Sequence, residues 1–383
     1  MGYDDLYWFE NYNSSFGSEA ELRSLINALK ERGIGTIADV VINHRKNVSN
    51  WVDFPKETYN GVTYEMVSTD IVKNDDGGDT KKWATDNGYS LSENNDTGEG
   101  WGGMRDLNYD NKDMREAMID AMKFWIVDVG IDGFRCDVAD GVPADFWKDA
   151  IDQLRAAAGD RKILMLAEGK NVDNFTIGGF DMNYGWDYKD ELVKVFKGAP
   201  ASDLIQADKA EYDSLPAGKV KLRFTTNHDH STEATPCVEF TNDRGAMAAY
   251  VASIFPHGGA LIYGSQEVGY PKPINFFKHV PVDWTAKPEI YQEYKQLIGL
   301  YNEHPALRKG DMTAFPDNDV LVFEKKDAAE RFLVVANLRN EQKTVNVPAD
   351  WMNRQAQDQA TAQNVQLGNT LTLTPFQYFI LAY

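Results

Sequence analysis

The feature that most limits the folds open to this chain is a recurring alternation. A stretch with apolar residues at helical spacing is followed by a short apolar run that ends in acidic, amide or histidine side chains. The first cycle starts at Ser18, where the spacing predicts a helix over 18–32. Ser18 is its cap, Glu21 completes a capping box, and Leu22, Leu25, Ile26 and Leu29 share one face. Gly33 ends this helix, and 34–42 reads as a strand buried on both faces that closes on Asn43 and His44. Helical stretches over 114–129 and 144–158 lead into strands at 133–137 and 163–168 in the same way. A short strand at 180–183 precedes helical stretches from Asp187 and Ser202, a strand at 222–227, a helix over 244–255, a strand at 260–263 and a last helix over about 288–303. Parallel strands need crossover connections, and helices supply them. The alternation therefore specifies an α/β chain with a (β/α)8-type, TIM-like barrel, whose chemistry lies at the C-terminal ends of the strands.

Two stretches break the rhythm. Residues 45–105 are irregular and rich in Asn, Asp and Gly, too long for an ordinary strand-to-helix loop, and are expected to form a small inserted subdomain. After Leu307 the helical spacing stops, and runs such as DVLVFEKK, RFLVVANL and TLTLTPFQYFILAY read as strands separated by turn signals. The expected organisation is a barrel domain over 1–44 and 106–310, the inserted subdomain over 45–105, and a C-terminal antiparallel β-sandwich domain over 311–383.

A formal net charge of −20 repels nucleic acid and anionic membrane surfaces and suits a neutral ligand. Cys136 and Cys237 are too few for a disulfide framework and lack metal-ligand spacing. No segment reaches the length of a membrane span, and the N-terminal residues carry neither the charge nor the apolar run of a signal peptide. A cytoplasmic location is expected for the chain as it stands, and an extracellular or periplasmic one if its N-terminus is truncated.

The polar clusters at the strand ends are DVVINH at 39–44, GFRCDVAD at 133–140, LAEG at 166–169 and TTNHDH at 225–230. An acidic residue at a strand end is, taken singly, most often a helix cap or a solvated loop residue, and a single histidine is usually structural. Four such clusters in order are a different matter. They resemble the four sequence regions of the α-amylase family of glycoside hydrolases, and MRDLN at 104–108 is similar to that family's additional short region. The chemistry accounts for the residue types independently. Cleaving a glycosidic bond with retention takes a carboxylate to attack the anomeric carbon and a protonated carboxyl group, about 5 Å away, to donate to the leaving oxygen. Asp137 and Glu168 end consecutive parallel strands, which lie about 4.8 Å apart, and can supply that pair. The resemblance implies Asp137 as nucleophile, Glu168 as acid/base and Asp229 as the third carboxylate. It implies sugar contacts from His44 and His228, and from Arg135, which stands two residues before Asp137 on the same strand face and can keep it ionised.

The resemblance also implies a structural Ca²⁺ held by Asn43, Asp106 and the main-chain carbonyl of Gly141, oxygen donors of the kind a hard cation takes. Where many family members carry Lys and His after the nucleophile, this chain has Asp140 and Gly141, so a lysine contact to the leaving-group sugar is lost while a carbonyl ligand survives. The acidic run Asp75, Asp76 and Asp79 reads better as a solvated turn than as a second metal site. Tyr3 matches a tyrosine that stacks on the attacked sugar, with Met1 where many members have a histidine, and reads equally well as an ordinary residue near a terminus.

Counted from the resemblance, the chain begins after the second barrel strand and is expected to supply six strands, the third to the eighth. Such an open arc presents two edges, and a homodimer that covers them is the expected response. The expected reaction is hydrolysis of α-1,4-glucosidic bonds in starch or malto-oligosaccharides. An α-glucan transglycosylase, or a non-catalytic glucan-binding protein with an incomplete barrel, is the alternative.

Overall fold

The capping box read from the sequence is present: the Ser18 hydroxyl accepts from the Glu21 N–H, and the Glu21 carboxylate accepts from the Ser18 N–H at 2.8 Å. The computed structural model describes residues 13–14, 17–46, 56–59, 61–65, 71–74, 104–107, 109–275 and 279–383. The chain falls into two units, one of residues 1–183 with 216–219, the other of residues 184–215 with 220–383.

In the first unit, helix α1 (Glu19–Lys30) buries Ile26 and is followed by strand β1 (Ala38–Val40). The strand expected over 34–42 is thus shorter, and Ile34 and Ile37 stay exposed instead of being buried on both faces. The reason is a contact with a residue distant in sequence. Asp132 replaces a neighbouring strand there, its main-chain N–H donating to Thr36 O at 2.6 Å and its carboxylate accepting from the Thr36 N–H at 2.9 Å. Strands β2 (His44–Lys46), β3 (Ile71–Asn74) and β4 (Met104–Leu107) pair antiparallel in the order β2-β4-β3, and 56–59 and 62–65 form a separate hairpin. Most of the expected inserted subdomain, including Asp75, Asp76 and Asp79, lies outside the described residues.

Helix α2 (Lys112–Phe124) begins two residues before its expected start because Asn111 caps it, accepting from the main-chain N–H of Asp113 and Met114. Its last turn widens to a π-helix over Trp125–Val129, and Gly130 closes it in the left-handed conformation. Strand β5 (Gly133–Cys136), helix α3 (Ala144–Ala158), strand β6 (Leu164–Ala167) and strand β7 (Met182–Tyr184) follow as the alternation predicts. The four strands lie in the order β1-β5-β6-β7, every pair parallel. Their apolar core runs from Ile26 through Met118, Met122, Phe146, Trp147 and Ile151 to Phe180.

The second unit holds α4 (Trp186–Phe196), α5 (Ser202–Asp213), β8 (Val220–Arg223), α6 (Asp243–Ile254), β9 (Gly259–Ala260) and α7 (Pro288–Glu303). Strands β8 and β9 pair parallel. From Asp311 the chain turns antiparallel, with β10 (Asp311–Ala314), β11 (Val320–Lys326), β12 (Arg331–Asn337), β13 (Lys343–Asn346), β14 (Gln355–Asp358), β15 (Asn364–Gln366), β16 (Thr370–Leu373) and β17 (Tyr378–Ala382). One sheet runs β10-β11-β12-β17-β14-β15, and β13 pairs with β16. Alternation with period two divides its side chains between two cores. Leu321, Phe323, Val334 and Ile380 join Leu192, Met247, Tyr250 and Leu297 of the helices, while Val322, Val335 and Leu381 pack with Trp351, Leu367 and Leu373. Among the described residues no helix is long and apolar enough to cross a membrane.

Candidate functional site

The strand register explains why the sequence motifs of the first unit meet. Arg135 stands opposite Asp39 of β1 on one side and Leu166 of β6 on the other. One step further, the Asp137 N–H donates to Val40 O and the Glu168 N–H donates to Cys136 O, both at 2.9 Å, so Asp137 and Glu168 leave the sheet at the same level. Side chains two residues apart on a strand share a face. Arg135, Asp137, Asp39 and Glu168 therefore project together.

The Arg135 guanidinium joins them. Its Nη1 donates to Asp39 Oδ1 at 2.8 Å and to Asp137 Oδ1 at 2.7 Å, and its Nη2 lies 2.5 Å from Glu168 Oε1. The arginine side chain is 8% exposed, and Asp137 and Glu168 are each 14% exposed, enough for a ligand to reach both carboxylates. Sequence reasoning had placed Arg135 beside Asp137 but had missed Asp39 as its partner. The signal was a lone acid in the middle of the apolar run that precedes Asn43. Cys136, between Arg135 and Asp137, points the other way and is fully buried. That burial pushes its thiol well up, so it is no nucleophile.

Past Asp137 the chain turns sharply. Val138 has φ 41° and ψ 46°, a left-handed conformation that β-branched residues rarely adopt. The turn aims the Val138 N–H at Glu168 Oε2, 2.9 Å away, and so fixes the second oxygen of that carboxylate. Buried Trp147 of α3 donates its indole N–H to Ala139 O at 3.0 Å and holds the turn from below. Asp140, which replaces a family lysine, faces the loop after Glu168. Its carboxylate accepts from the Lys170 N–H at 3.0 Å and from Asn174 Nδ2 at 2.8 Å. Gly169 lets that carboxylate come close, since a Cβ there would stand 2.2 Å from Asp140 Oδ1.

Three of the residues expected around Ca²⁺ lie on neighbouring elements of this unit. Asn43 is buried, and its main-chain oxygen accepts from the Leu107 N–H, next to Asp106. Asp106 is opposite His44 in the β2–β4 register. A Cβ at residue 141 would stand 2.5 Å from Asn43 Oδ1, so the amide oxygen is set against Gly141. Tyr3 lies outside the described residues, as do the side chains of His44 and Asp106.

His228 and Asp229 belong to the second unit, in the turn that follows β8. His228 Nε2 is 3.4 Å from Asp229 Oδ1, and the Asp229 side chain is 48% exposed. The turn is pinned by the His230 N–H donating to Asn227 Oδ1 and by Ser231 Oγ donating to His228 O, each at 2.9 Å. His230 turns inward against Trp186. Burial, reinforced by the charge of Lys189, lowers its pKa, and its ring packs against Trp186 and Phe224.

Compared with known proteins, the sequence matches the family described as the α-amylase catalytic domain over residues 1–296 and the maltogenic amylase C-terminal domain over residues 313–380. A cyclomaltodextrinase of Geobacillus thermopakistaniensis is 24% identical over an alignment 361 positions long, which covers 91% of this chain and 58% of that protein. An intracellular maltogenic amylase of Bacillus subtilis is 24% identical over an alignment 400 positions long, which covers 99% of this chain and 64% of that protein. The chain spans from 49% to 60% of the first three curated relatives it matches. The crystal structure of an α-amylase from Geobacillus thermoleovorans, complexed with acarbose, superposes with a TM-score of 0.76 at 20% identity, covering all of this chain and 84% of that one. A likeness at that identity carries the fold, a TIM-like barrel with a C-terminal antiparallel β domain. The catalytic-domain match takes in well over half of the residues, and by it this chain belongs to the α-amylase family of glycoside hydrolases.

Proposed function

We propose that the protein hydrolyses α-1,4-glucosidic bonds of starch or malto-oligosaccharides by a retaining double displacement. Asp137 attacks the anomeric carbon, and the departing oxygen takes the proton of Glu168. Glu168 then removes a proton from water, which cleaves the glycosyl ester on Asp137. Asp229 and His228 bind sugar hydroxyls and stabilise the positively charged transition state, with His44 and Tyr3 as further sugar contacts. The observation that carries the reading is the sharing of one guanidinium, that of Arg135, by two partly accessible carboxylates on adjacent strand ends. Arg135 pairs with Asp137, and for Glu168 to act as an acid it has to carry a proton and the leaving-group oxygen has to take the place of its Arg135 contact. The names of the relatives, cyclomaltodextrinase and maltogenic amylase, support malto-oligosaccharides, cyclic ones included, as substrates. Transglycosylation uses the same ester, and product analysis with maltose as acceptor separates the two. The primary test is release of reducing sugar from soluble starch, whose absence defeats the reading.

Within this reading, Ca²⁺ is held by Asn43, Asp106 and the Gly141 carbonyl, and fastens the end of β1 to the segment after it. The placement of the Asn43 amide oxygen against Gly141 supports this set. The barrel domain covers 1–44 and 106–310, the inserted subdomain 45–105 and the C-terminal β-sandwich 311–383. The onset of antiparallel pairing at Asp311 supports the last boundary. A homodimer covers the outer edge of β1, whose partner among the described residues is β5 alone. Light scattering that shows a monodisperse monomer at low micromolar concentration overturns the dimer.

A further inference from the structure

We propose that the indole of Trp284 is a stacking platform for a glucose ring of the glucan chain, a sugar-binding position on the loop that follows β9. The inference rests on the glucan reading above. Trp284 is 58% exposed, the most exposed large apolar side chain among the described residues. A single exposed apolar residue is ordinary, so the weight falls on how this one is mounted. Among the described residues its indole N–H has no partner and no other aromatic ring packs on it. One edge of the ring lies beside a glycine, since a Cβ at residue 264 would come within 3.7 Å of Trp284 Cη2.

The segments on either side of this contact are fixed by side chains that accept from main-chain N–H groups. Gln266 Oε1 accepts from Tyr263 at 3.1 Å and Glu267 Oε2 accepts from Ser265 at 2.8 Å. On the other flank, Asp283 Oδ1 accepts from the Thr285 N–H at 2.9 Å and from its hydroxyl at 2.7 Å. A flat apolar surface held at both sides loses little freedom when a ligand stacks on it.

Position supplies the ligand class. The loop leaves the C-terminal end of a parallel strand, the face on which such barrels bind their ligands. Partway along, the Ile274 N–H donates to Ser231 O at 2.6 Å, which ties it to the turn that presents Asp229. Sugar rings offer a face of C–H groups suited to an indole, with hydroxyls at the rim for its free N–H.

The test compares the intact protein with Trp284→Ala, Trp284→Phe and, as a control, Tyr291→Ala on α7, which is exposed to a similar extent. With maltoheptaose, Trp284→Ala should raise KM about tenfold, Trp284→Phe should recover most of that loss, and the control should match the parent, with all melting temperatures alike. Maltoheptaose should also quench an indole signal that disappears in Trp284→Ala. Hydrolysis with KM unchanged in Trp284→Ala overturns the inference and leaves the catalytic reading standing. Quenching that depends on Trp284 without any hydrolysis supports the inference and breaks the catalytic reading.

Discussion

Two arginines on parallel strands gather acidic partners in this molecule, and they differ in what surrounds them. Arg135 of β5 holds Asp39, Asp137 and Glu168, whose side chains are 35%, 14% and 14% exposed. Arg223 of β8 is fully buried and paired with Asp208 and Glu211, which are 1% and 7% exposed. Its guanidinium also stacks on Tyr188, 4.0 Å from the ring centre, and His257 takes the second oxygen of Asp208 at 2.7 Å. A Cβ at residue 258 would stand 2.5 Å from Arg223 Cγ, so a glycine lets the side chain pass. The ingredients are alike, but one cluster is sealed and compensated on every side while the other leaves carboxylates within reach of a ligand. Exposure, more than charge composition, separates a site that can do chemistry from one that holds a fold together.

The comparison is broken most directly through activity. Asp137→Asn and Glu168→Gln should each lower starch turnover by roughly a thousandfold or more, with melting temperatures close to the parent's, since both changes are near-isosteric. Near-normal reducing-sugar release by either variant would remove that residue from the mechanism. In the sealed cluster the large effect should fall on stability. Arg223→Met leaves Asp208 and Glu211 buried without their cation, which should cost about 3–5 kcal/mol in urea unfolding. A loss under about 1 kcal/mol would show that the cluster is not a structural element.

A third test uses pH. Lys325 is fully buried in the second unit, where its ammonium donates to Pro256 O at 2.6 Å, and burial lowers its pKa from 10.5 to about 8. Below the lower value both the folded and unfolded chains carry this proton and the folded state bears the whole penalty. Between the two values the unfolded chain binds more of it, so this residue makes stability rise with pH and its penalty vanish above 10.5. Lys325→Met should flatten that rise and stabilise the protein at neutral pH by up to about 3 kcal/mol. An unchanged slope in denaturant titrations between pH 8 and 10 would contradict the burial argument.

The proposed calcium residues Asn43, Asp106 and Gly141, which belong to the same unit as the open cluster, give a test by metal. Chelation with EDTA should lower the melting temperature of the parent by a few degrees, and added calcium should restore it, whereas Asn43→Ala should be insensitive to both. A parent melting curve indifferent to EDTA, with no calcium in elemental analysis, removes the metal. The smallest effect is expected at Val138. Val138→Gly accepts the left-handed turn without strain, so stability should stay within about 1 kcal/mol of the parent and activity should be kept. A large loss of turnover in that variant would mean that the valine side chain, and not only its N–H, serves Glu168.

The sequence determined a good deal unaided. Apolar spacing and the Ser18–Glu21 box located α1, and period-two alternation put Arg135 and Asp137 on one face of β5. Both are local codes, carried by residues within one or two turns or one strand of each other, and such signals survive without tertiary context. The strand read over 34–42 is cut back to Ala38–Val40 for a reason that locality hides, because Asp132, distant in sequence, takes up the hydrogen bonds of Thr36. The same holds for Asp140, which reads as a lost lysine until its contacts with Lys170 and Asn174 show it anchoring the loop behind Glu168. Arg223 looks like one more residue of a strand, VKLR, until Asp208, Glu211 and His257 converge on it from a helix and a loop. Periodicity tells which face a side chain takes. Which charge it meets there, and whether water can follow, depends on how distant segments pack, and only the tertiary structure decided that.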